Sequence, residues 1–283
     1  MKETVVDIHD LQALAPFFKS PVGTFVGKCL LKWLSIDKVN QAHKNSCHLR
    51  GAAFTSALLR DPLIQLKYRL HNAEVLDHLP EGAFITVSNH PIGSLDGIIL
   101  IDIMASRRPD FKVMVNGILE KIGAMADNFI AVKPDTKHQG KGNPANLNGV
   151  RLSLQQLHDG HPMGFFPAGA MSFYNKEKKR VCDLSWARSV IRLIRKSNAP
   201  VYPVYFDFQN SDFFYWLGRI SWQIRTLRVP AEIFNKNGRT VDVYIGQPIS
   251  VEEIQAIPDD TQLADFLYTR TYDSKHANER SAR

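Results

Sequence analysis

Ala83–Phe84–Ile85–Thr86–Val87–Ser88–Asn89–His90–Pro91–Ile92–Gly93–Ser94–Leu95–Asp96–Gly97 joins an apolar, β-branched run to a polar turn that holds a histidine and an aspartate. Ile98–Ile99–Leu100–Ile101 follows at once. Four to eight apolar residues before a Pro/Gly/Ser cluster spell a buried strand. The second run spells a helix starting near Gly97, with Asp96 or Ser94 placed to accept from its first N–H groups. His90 thus stands at the mouth of a strand-to-helix turn, where open α/β sheets put their chemistry. Asp96 is near enough to bond one imidazole nitrogen and leave the other to work as a base. Taken alone, the stretch fits a capping carboxylate beside a surface histidine equally well.

Working outward, short apolar runs alternate with helical patterns from Ala73 onward. The patterning predicts strands at Phe84–Ser88, Phe111–Asn116, Asn128–Val132, Met163–Phe166, Val201–Phe206 and Val241–Ile245. It predicts helices near 97–106, 117–126, 146–158, 184–197, 212–227 and 260–272. This alternation predicts an α/β fold with a mixed, mainly parallel central sheet flanked by helices. The organisation expected is an N-terminal helical segment over 1–72, an α/β domain over 73–273 and a flexible tail over 274–283. Residues 5–19, 21–34 and 39–71 read as helix, with a start or break at Asp61–Pro62. Within 21–34, Val22, Phe25, Val26, Cys29, Leu30, Trp33 and Leu34 form an apolar stripe among Lys19, Lys28, Lys32 and Lys38. Such a stripe either packs on its own domain or lies in a membrane interface. Residues 134–146, rich in Pro, Gly, Lys and Asn, read as a mobile loop long enough to act as a flap.

Composition narrows the classes. Cys29, Cys47 and Cys182 have neither metal-site nor disulfide spacing, which points to a reducing compartment. The N-terminus has no signal-peptide core, and no run approaches eighteen apolar residues. The net charge of +7 is matched by one segment, 171–230, which holds eleven Lys/Arg against four Asp/Glu. Its partner should be anionic: phospholipid, nucleic acid, coenzyme A or an acidic carrier protein. Cations and aromatics are not interleaved on a recognisable nucleic-acid module, so no nucleic acid is expected. His138, His158 and His161 lack metal-site spacing, so no metal is expected either.

Three further strand ends add to the first. Phe165–Phe166–Pro167–Ala168–Gly169–Ala170–Met171–Ser172 is another strand running into a small-residue turn, open to close approach by a ligand. Asn128–Phe129–Ile130–Ala131–Val132–Lys133–Pro134 ends on a cation, and Ala199–Pro200–Val201–Tyr202–Pro203–Val204 is bounded by prolines. In order and spacing, these four blocks resemble the His–Asp, Phe-Ile-x-Arg, Phe-Pro-Glu-Gly and Val-x-Pro motifs of the glycerolipid acyltransferases of the 1-acylglycerol-3-phosphate type. The resemblance covers roughly residues 73–250, with Gly246–Gln247–Pro248–Ile249 similar to the closing strand and turn. Three departures qualify it. Five residues rather than four separate His90 from Asp96, Ala168 replaces the glutamate, and Val132 replaces the arginine, with Lys133 one place later. The longer spacing resembles the bacterial hemolysin-like branch, whose members acylate amino-acid lipids such as glycine or ornithine lipids. Loss of the planar, bidentate cation also weakens the case for a phosphate-bearing acceptor.

The resemblance implies acyl transfer from a thioester on acyl carrier protein or coenzyme A to an amine or hydroxyl, with no permanent cofactor. His90 would act as general base and Asp96 would fix its tautomer. Asn89, Gly93, Ser94, Phe129, Lys133, Pro167, Gly169, Ala170 and Ser172 would line the substrate, with backbone N–H groups near Gly169–Ala170 holding the oxyanion. Lys176, Lys178, Lys179, Arg180, Arg188, Arg192 and Arg195 would dock the anionic carrier. The enzyme would work in the cytoplasm, peripherally on the inner face of the cell membrane. A 1-acylglycerol-3-phosphate O-acyltransferase, a (thio)esterase using the same base on water, and a basic nucleic-acid-binding protein stay open as alternatives. Against a serine hydrolase stands the absence of a Gly-x-Ser-x-Gly elbow.

Overall fold

The computed structural model describes residues 3–132 and 144–281. Four helices come first: α1 (Ile8–Leu14), α2 (Pro21–Trp33), α3 (Ile36–Ser46) and α4 (Gly51–Arg60). Strands β1 (Lys67–His71) and β2 (Ile85–Ser88) lead into α5 (Ser94–Ala105), then β3 (Lys112–Asn116), β4 (Phe129–Val132), α6 (Pro144–His158) and β5 (Met163–Phe165). A hairpin of β6 (Phe173–Asn175) and β7 (Arg180–Cys182) precedes α7 (Arg188–Ser197) and β8 (Val201–Asp207). Then come α8 (Asp212–Ile220), α9 (Trp222–Leu227), α10 (Val229–Phe234), β9 (Thr240–Ile245), α11 (Val251–Ala256) and α12 (Asp260–Ser281).

Seven strands form one sheet in the order β1-β9-β8-β2-β5-β3-β4. The five from β8 to β4 run parallel, β9 opposes β8, and β1 runs with β9. Parallel strands must be covered on both faces. Ile85 and Val87 pack into a layer with residues of α6, α7 and α12, including Leu157, Ile191 and Leu267. On the other face, Val204, Phe206, Val241 and Val243 pack with α4 and α5. Helix α5 is buried from Ile98 through Ala105 because it is apolar all round, the signature of a core helix.

One carboxylate lies inside that core. Asp102 accepts from Thr55 Oγ1 at 2.9 Å, from the Tyr68 hydroxyl at 2.7 Å and from the Ser56 hydroxyl. Three donors make the buried charge tolerable and pin α4 and β1 onto α5. Burial, reinforced by the Asp102 carboxylate, holds the Tyr68 phenol above its usual range.

The mixed, mainly parallel sheet is present, but several local expectations change. Lys67–His71 was expected as the end of a helix; it forms an edge strand paired with β9. Pro62 bars the helix, and Lys67–Tyr68–Arg69–Leu70 alternates charge with apolar surface, as a guarded edge does. Residues 117–126 form no α-helix but two 3₁₀ turns, Gly117–Lys121 and Gly123–Asn128, each opened by a glycine. The helix expected over 212–227 breaks at Ser221, which caps α9 by accepting from the Ile224 N–H. Helix α12 continues to Ser281 through residues expected as a flexible tail, with Ser274 buried and Lys275 paired to Asp207 at 2.7 Å.

The stripe of α2 does not pack as expected for a core helix. Gly23 and Gly27 are its buried residues, while Val22, Phe25, Val26 and Trp33 are exposed, Phe25 by 70%. A Cβ on Gly27 would meet Ile8 Cδ1 at 2.7 Å, so the glycine is what lets α1 approach. Among the described residues no helix is long and apolar enough to cross a membrane.

Candidate active site

At the end of β2 the chain turns sharply into α5. Asn89, 3% exposed, clamps the turn to β8: its Nδ2 donates to the Phe206 carbonyl at 3.0 Å and its Oδ1 accepts from the Phe206 N–H at 2.7 Å. Both ends of the amide of Asn89, expected as a substrate contact, are therefore held by backbone. Gly93 has φ +93°, a region that favours glycine, and a Cβ there would meet Met171 Sδ at 2.7 Å. Helix α5 begins at Ser94, earlier than expected. Asp96 reaches back from its first turn to accept from the N–H groups of Ile92 (2.9 Å) and Gly93 (3.0 Å). Ser94 Oγ is buried without a partner among the described residues.

The turn places the two residues singled out by the sequence side by side. His90 Nδ1 lies 3.0 Å from Asp96 Oδ2, with Asp96 fully buried and the His90 side chain 20% exposed. Oδ2 already holds two backbone donors, so Nδ1 meets it out of line, within reach of a hydrogen bond but not in one. The imidazole rests on Phe166, ring centres 4.4 Å apart. Nε2 has no partner among the described residues and, unlike Nδ1, is not sealed from solvent. An imidazole beside a buried carboxylate on one side and open on the other is an arrangement able to take a proton at Nε2.

A second buried carboxylate joins this site, and sequence reasoning missed it. Asp183 Oδ1 accepts from the His90 N–H at 3.2 Å and from the Ser172 hydroxyl, while the Ser172 N–H donates to the His90 carbonyl at 2.8 Å. Asp183 thereby ties the turn after β2 to the turn after β5. The only local signal was an acid flanked by Cys182 and Leu184; its partner lies 93 residues away. Burial pushes the Asp183 carboxyl up, against the opposing pull of Ser172 and His90. The folded state thus holds this proton more tightly than the unfolded chain. Its contribution to stability is present below the ordinary carboxyl pKa and is lost as pH rises through the raised value. Asp183→Asn keeps an oxygen for both donors but does not titrate. The stability of this variant relative to wild type is expected to rise as pH increases above the ordinary carboxyl range, read from urea midpoints. Parallel pH profiles for the two proteins would refute this.

Several expected contacts are placed elsewhere. Ser172 is 1% exposed, and its one O–H is donated to Asp183 rather than free for an acceptor. Gly169 is exposed at φ +64°, but its N–H donates to the Phe166 carbonyl at 2.9 Å. The expected oxyanion donors thereby reduce to the half-buried Ala170. Pro167 is buried, and its carbonyl accepts from the Ala187 N–H at 2.8 Å, while Ala168 packs in the α6–α7 layer. Phe129 opens β4 and packs on the α5 side of the core, at the end of the parallel strands opposite the one where His90 follows β2. Lys133 and residues 134–143 of the expected flap lie outside the described residues; Pro144–Asn146 begin α6.

The expected docking cations separate into two sets. Lys176, Lys178, Lys179 and Arg180 are exposed around the β6–β7 turn. On α7, Arg192 and Arg195 instead pair with Asp260 at 2.9 and 3.2 Å, and Arg195 Nη1 also donates to the Ile257 carbonyl. The Arg192 hydrogen bond, aided by Arg195, holds the Asp260 carboxyl below its usual range. Arg188 donates to Thr261 Oγ1 at 3.3 Å. These α7 arginines anchor α12 rather than forming a free docking face. Of the histidines weighed for a metal, His161 lies 2.7 Å from Asp110 and His158 is 3.6 Å from Asp159, while His138 is outside the described residues. Among the described residues no three metal-ligating side chains stand together.

A family model described as acyltransferase matches residues 11–280. The chain belongs to the acyltransferase family. This acyltransferase is 28% identical over 273 residues to Lyso-glycine lipid O-acyltransferase of Bacteroides thetaiotaomicron, covering 93% of this chain and 94% of that one. It is 27% identical over 246 residues to Lyso-glycine lipid O-acyltransferase of Phocaeicola vulgatus, covering 83% and 82% of the two chains. Both relatives fall in the branch that the five-residue His–Asp spacing resembles. The crystal structure of the 1-acyl-sn-glycerophosphate (LPA) acyltransferase PlsC from Thermotoga maritima matches with a TM-score of 0.49 at 14% identity, over 90% of this chain and 89% of that one.

Proposed function

We propose that this acyltransferase moves a fatty acyl group from an acyl-carrier-protein or coenzyme A thioester to the hydroxyl of a lyso-amino-acid lipid, a lyso-glycine lipid foremost. The observation that carries the reading is the 3.0 Å approach of His90 to fully buried Asp96, with Nε2 left open. The name of the two relatives supports the acceptor, and its O-acyltransferase part supports oxygen as the attacking atom.

In this reaction the acceptor oxygen attacks the thioester carbonyl while Nε2 takes its proton. The imidazolium that forms draws Nδ1 onto Asp96, since active-site hydrogen bonds tighten when charge develops. The Ala170 N–H faces the oxyanion, one such donor being worth about 3 kcal/mol. Collapse expels the thiolate, which recovers the proton from Nε2, so ester and thiol leave with atoms balanced. The exposed cations of the β6–β7 turn receive the anionic carrier.

The enzyme works at a membrane surface, on the cytoplasmic side where its carrier is found. Two exposed apolar faces support this: Phe25 and Trp33 on α2, and Trp216, Ile220 and Trp222 on α8–α9. Amphipathic helices with Trp on the wet edge settle in such interfaces.

The test is purified full-length protein supplied with acyl-thioester and, separately, lyso-glycine lipid or lysophosphatidic acid, with products read by mass spectrometry. A new O-acyl ester on lyso-glycine lipid is the expected result. Acylation of lysophosphatidic acid alone would overturn the acceptor. Fatty acid release at a rate indifferent to either acceptor would make the protein a hydrolase.

A further inference from the structure

Arg225, on α9, is half-buried and has no carboxylate beside it among the described residues. Its Nη1 donates to the Ser172 carbonyl at 3.4 Å, and Ser172 in turn bonds the His90 carbonyl, so the guanidinium stands at the rim of the proposed active site. It lies over the Phe214 ring, 5.4 Å from the centroid. Gly218 makes room for it: a Cβ there would meet Arg225 Cδ at 2.8 Å. Nε is sealed from solvent with no acceptor. Among the described residues no carboxylate lies within ion-pair distance of Arg225.

Three other half-buried arginines have a carboxylate beside them, while Arg270 lies over the Phe266 ring. Arg108 has Asp110 at 2.8 Å, Arg195 has Asp260 at 3.2 Å, and Arg228 has Glu232 at 4.0 Å. Burial alone pulls the Arg225 guanidinium below its ordinary value, with only the Tyr215 hydroxyl opposing. Holding a partly desolvated cation without a counter-charge is unfavourable, and a planar fork is suited to carboxylate or phosphate.

We infer that Arg225 is the head-group anchor of the acceptor, binding the carboxylate of the amino-acid lipid while its hydroxyl reaches His90. A glycine joined to an acyl chain through its nitrogen keeps that carboxylate. The inference rests on the acceptor proposed above. A phosphate on the thioester donor has the same chemistry. The acceptor is favoured because α9 also exposes Trp222 (58%), Ile224 (42%) and Leu227 (54%), so the anion met beside them is one borne by a lipid.

The test compares lyso-glycine lipid with its methyl ester, on wild type, R225Q and R225K, with KM for acceptor and for acyl-thioester measured separately. Wild type should favour the acid by about 10- to 100-fold in kcat/KM, the span expected for a charge-assisted pair. R225Q should bring acid and ester to within about threefold of each other, and R225K, which keeps the charge but loses the fork, should fall between. Equal use of acid and ester by wild type would overturn the inference even if no variant folds. A rise in KM for the thioester alone would assign the anion to the donor and overturn it too. Wild-type turnover of neither lipid would instead overturn the acceptor reading, and the inference with it.

Discussion

His90→Ala is expected to lower the turnover of acyl transfer by about 10²–10⁴-fold, the contribution of one positioned base. The fold should be little affected, for a structural reason. What holds the turn is the backbone of residue 90: its N–H on Asp183 and its carbonyl under the Ser172 N–H, neither of which needs the imidazole. The side chain itself contributes its packing on Phe166 and its approach to Asp96. Single-turnover rates beside urea unfolding curves separate the two effects. Turnover like wild type in a folded His90→Ala protein would remove the base from the mechanism.

Asp96 should divide into two outcomes by substitution. Asp96→Asn has two settings. With its oxygen in the place of Oδ2 it keeps the N–H groups of Ile92 and Gly93 and puts N–H₂ in the buried slot of Oδ1, which has no partner among the described residues. Turned over, it sets N–H₂ beside Nδ1 and leaves both backbone N–H groups without an acceptor. Facing Nδ1, that donor favours the tautomer with its proton on Nε2, the wrong nitrogen for a base. A loss of about 10²–10⁴ in kcat follows, with stability reduced by about 1–3 kcal/mol for the mismatched amide. Asp96→Ala additionally orphans both N–H groups, at about 1–3 kcal/mol each, and should unfold at clearly lower denaturant. Asn at full activity would show that Asp96 shapes the turn and does nothing for the imidazole.

The sequence made the sheet and the His90–Asp96 turn legible because both are written locally. Buried strands are short apolar runs, and a turn that must bury one acid and expose one histidine shows both within seven residues. The edge strand β1 was hidden because charged alternation over five residues is weaker than the helical pattern preceding it. Asp183 and Arg225 were hidden for a different reason. Each matters through Ser172, which neither sequence neighbourhood announces, and the fold alone brings them to it. The basic helix α7 misled in the opposite direction: an amphipathic row of arginines looks like a docking face until Asp260 arrives from another helix to occupy it.

The Asp102 hub reaches further than local packing. A fragment beginning after β1 would bare the outer edge of β9 and strip Thr55, Ser56 and Tyr68 from a carboxylate deep in the helix that starts in the His90–Asp96 turn. An abandoned buried charge typically weakens a protein by about 3–5 kcal/mol, a large share of what any domain has to lose. The opening helices are therefore not separable from a self-sufficient α/β half: that acid has its three hydroxyls only when both parts of the chain are folded against each other.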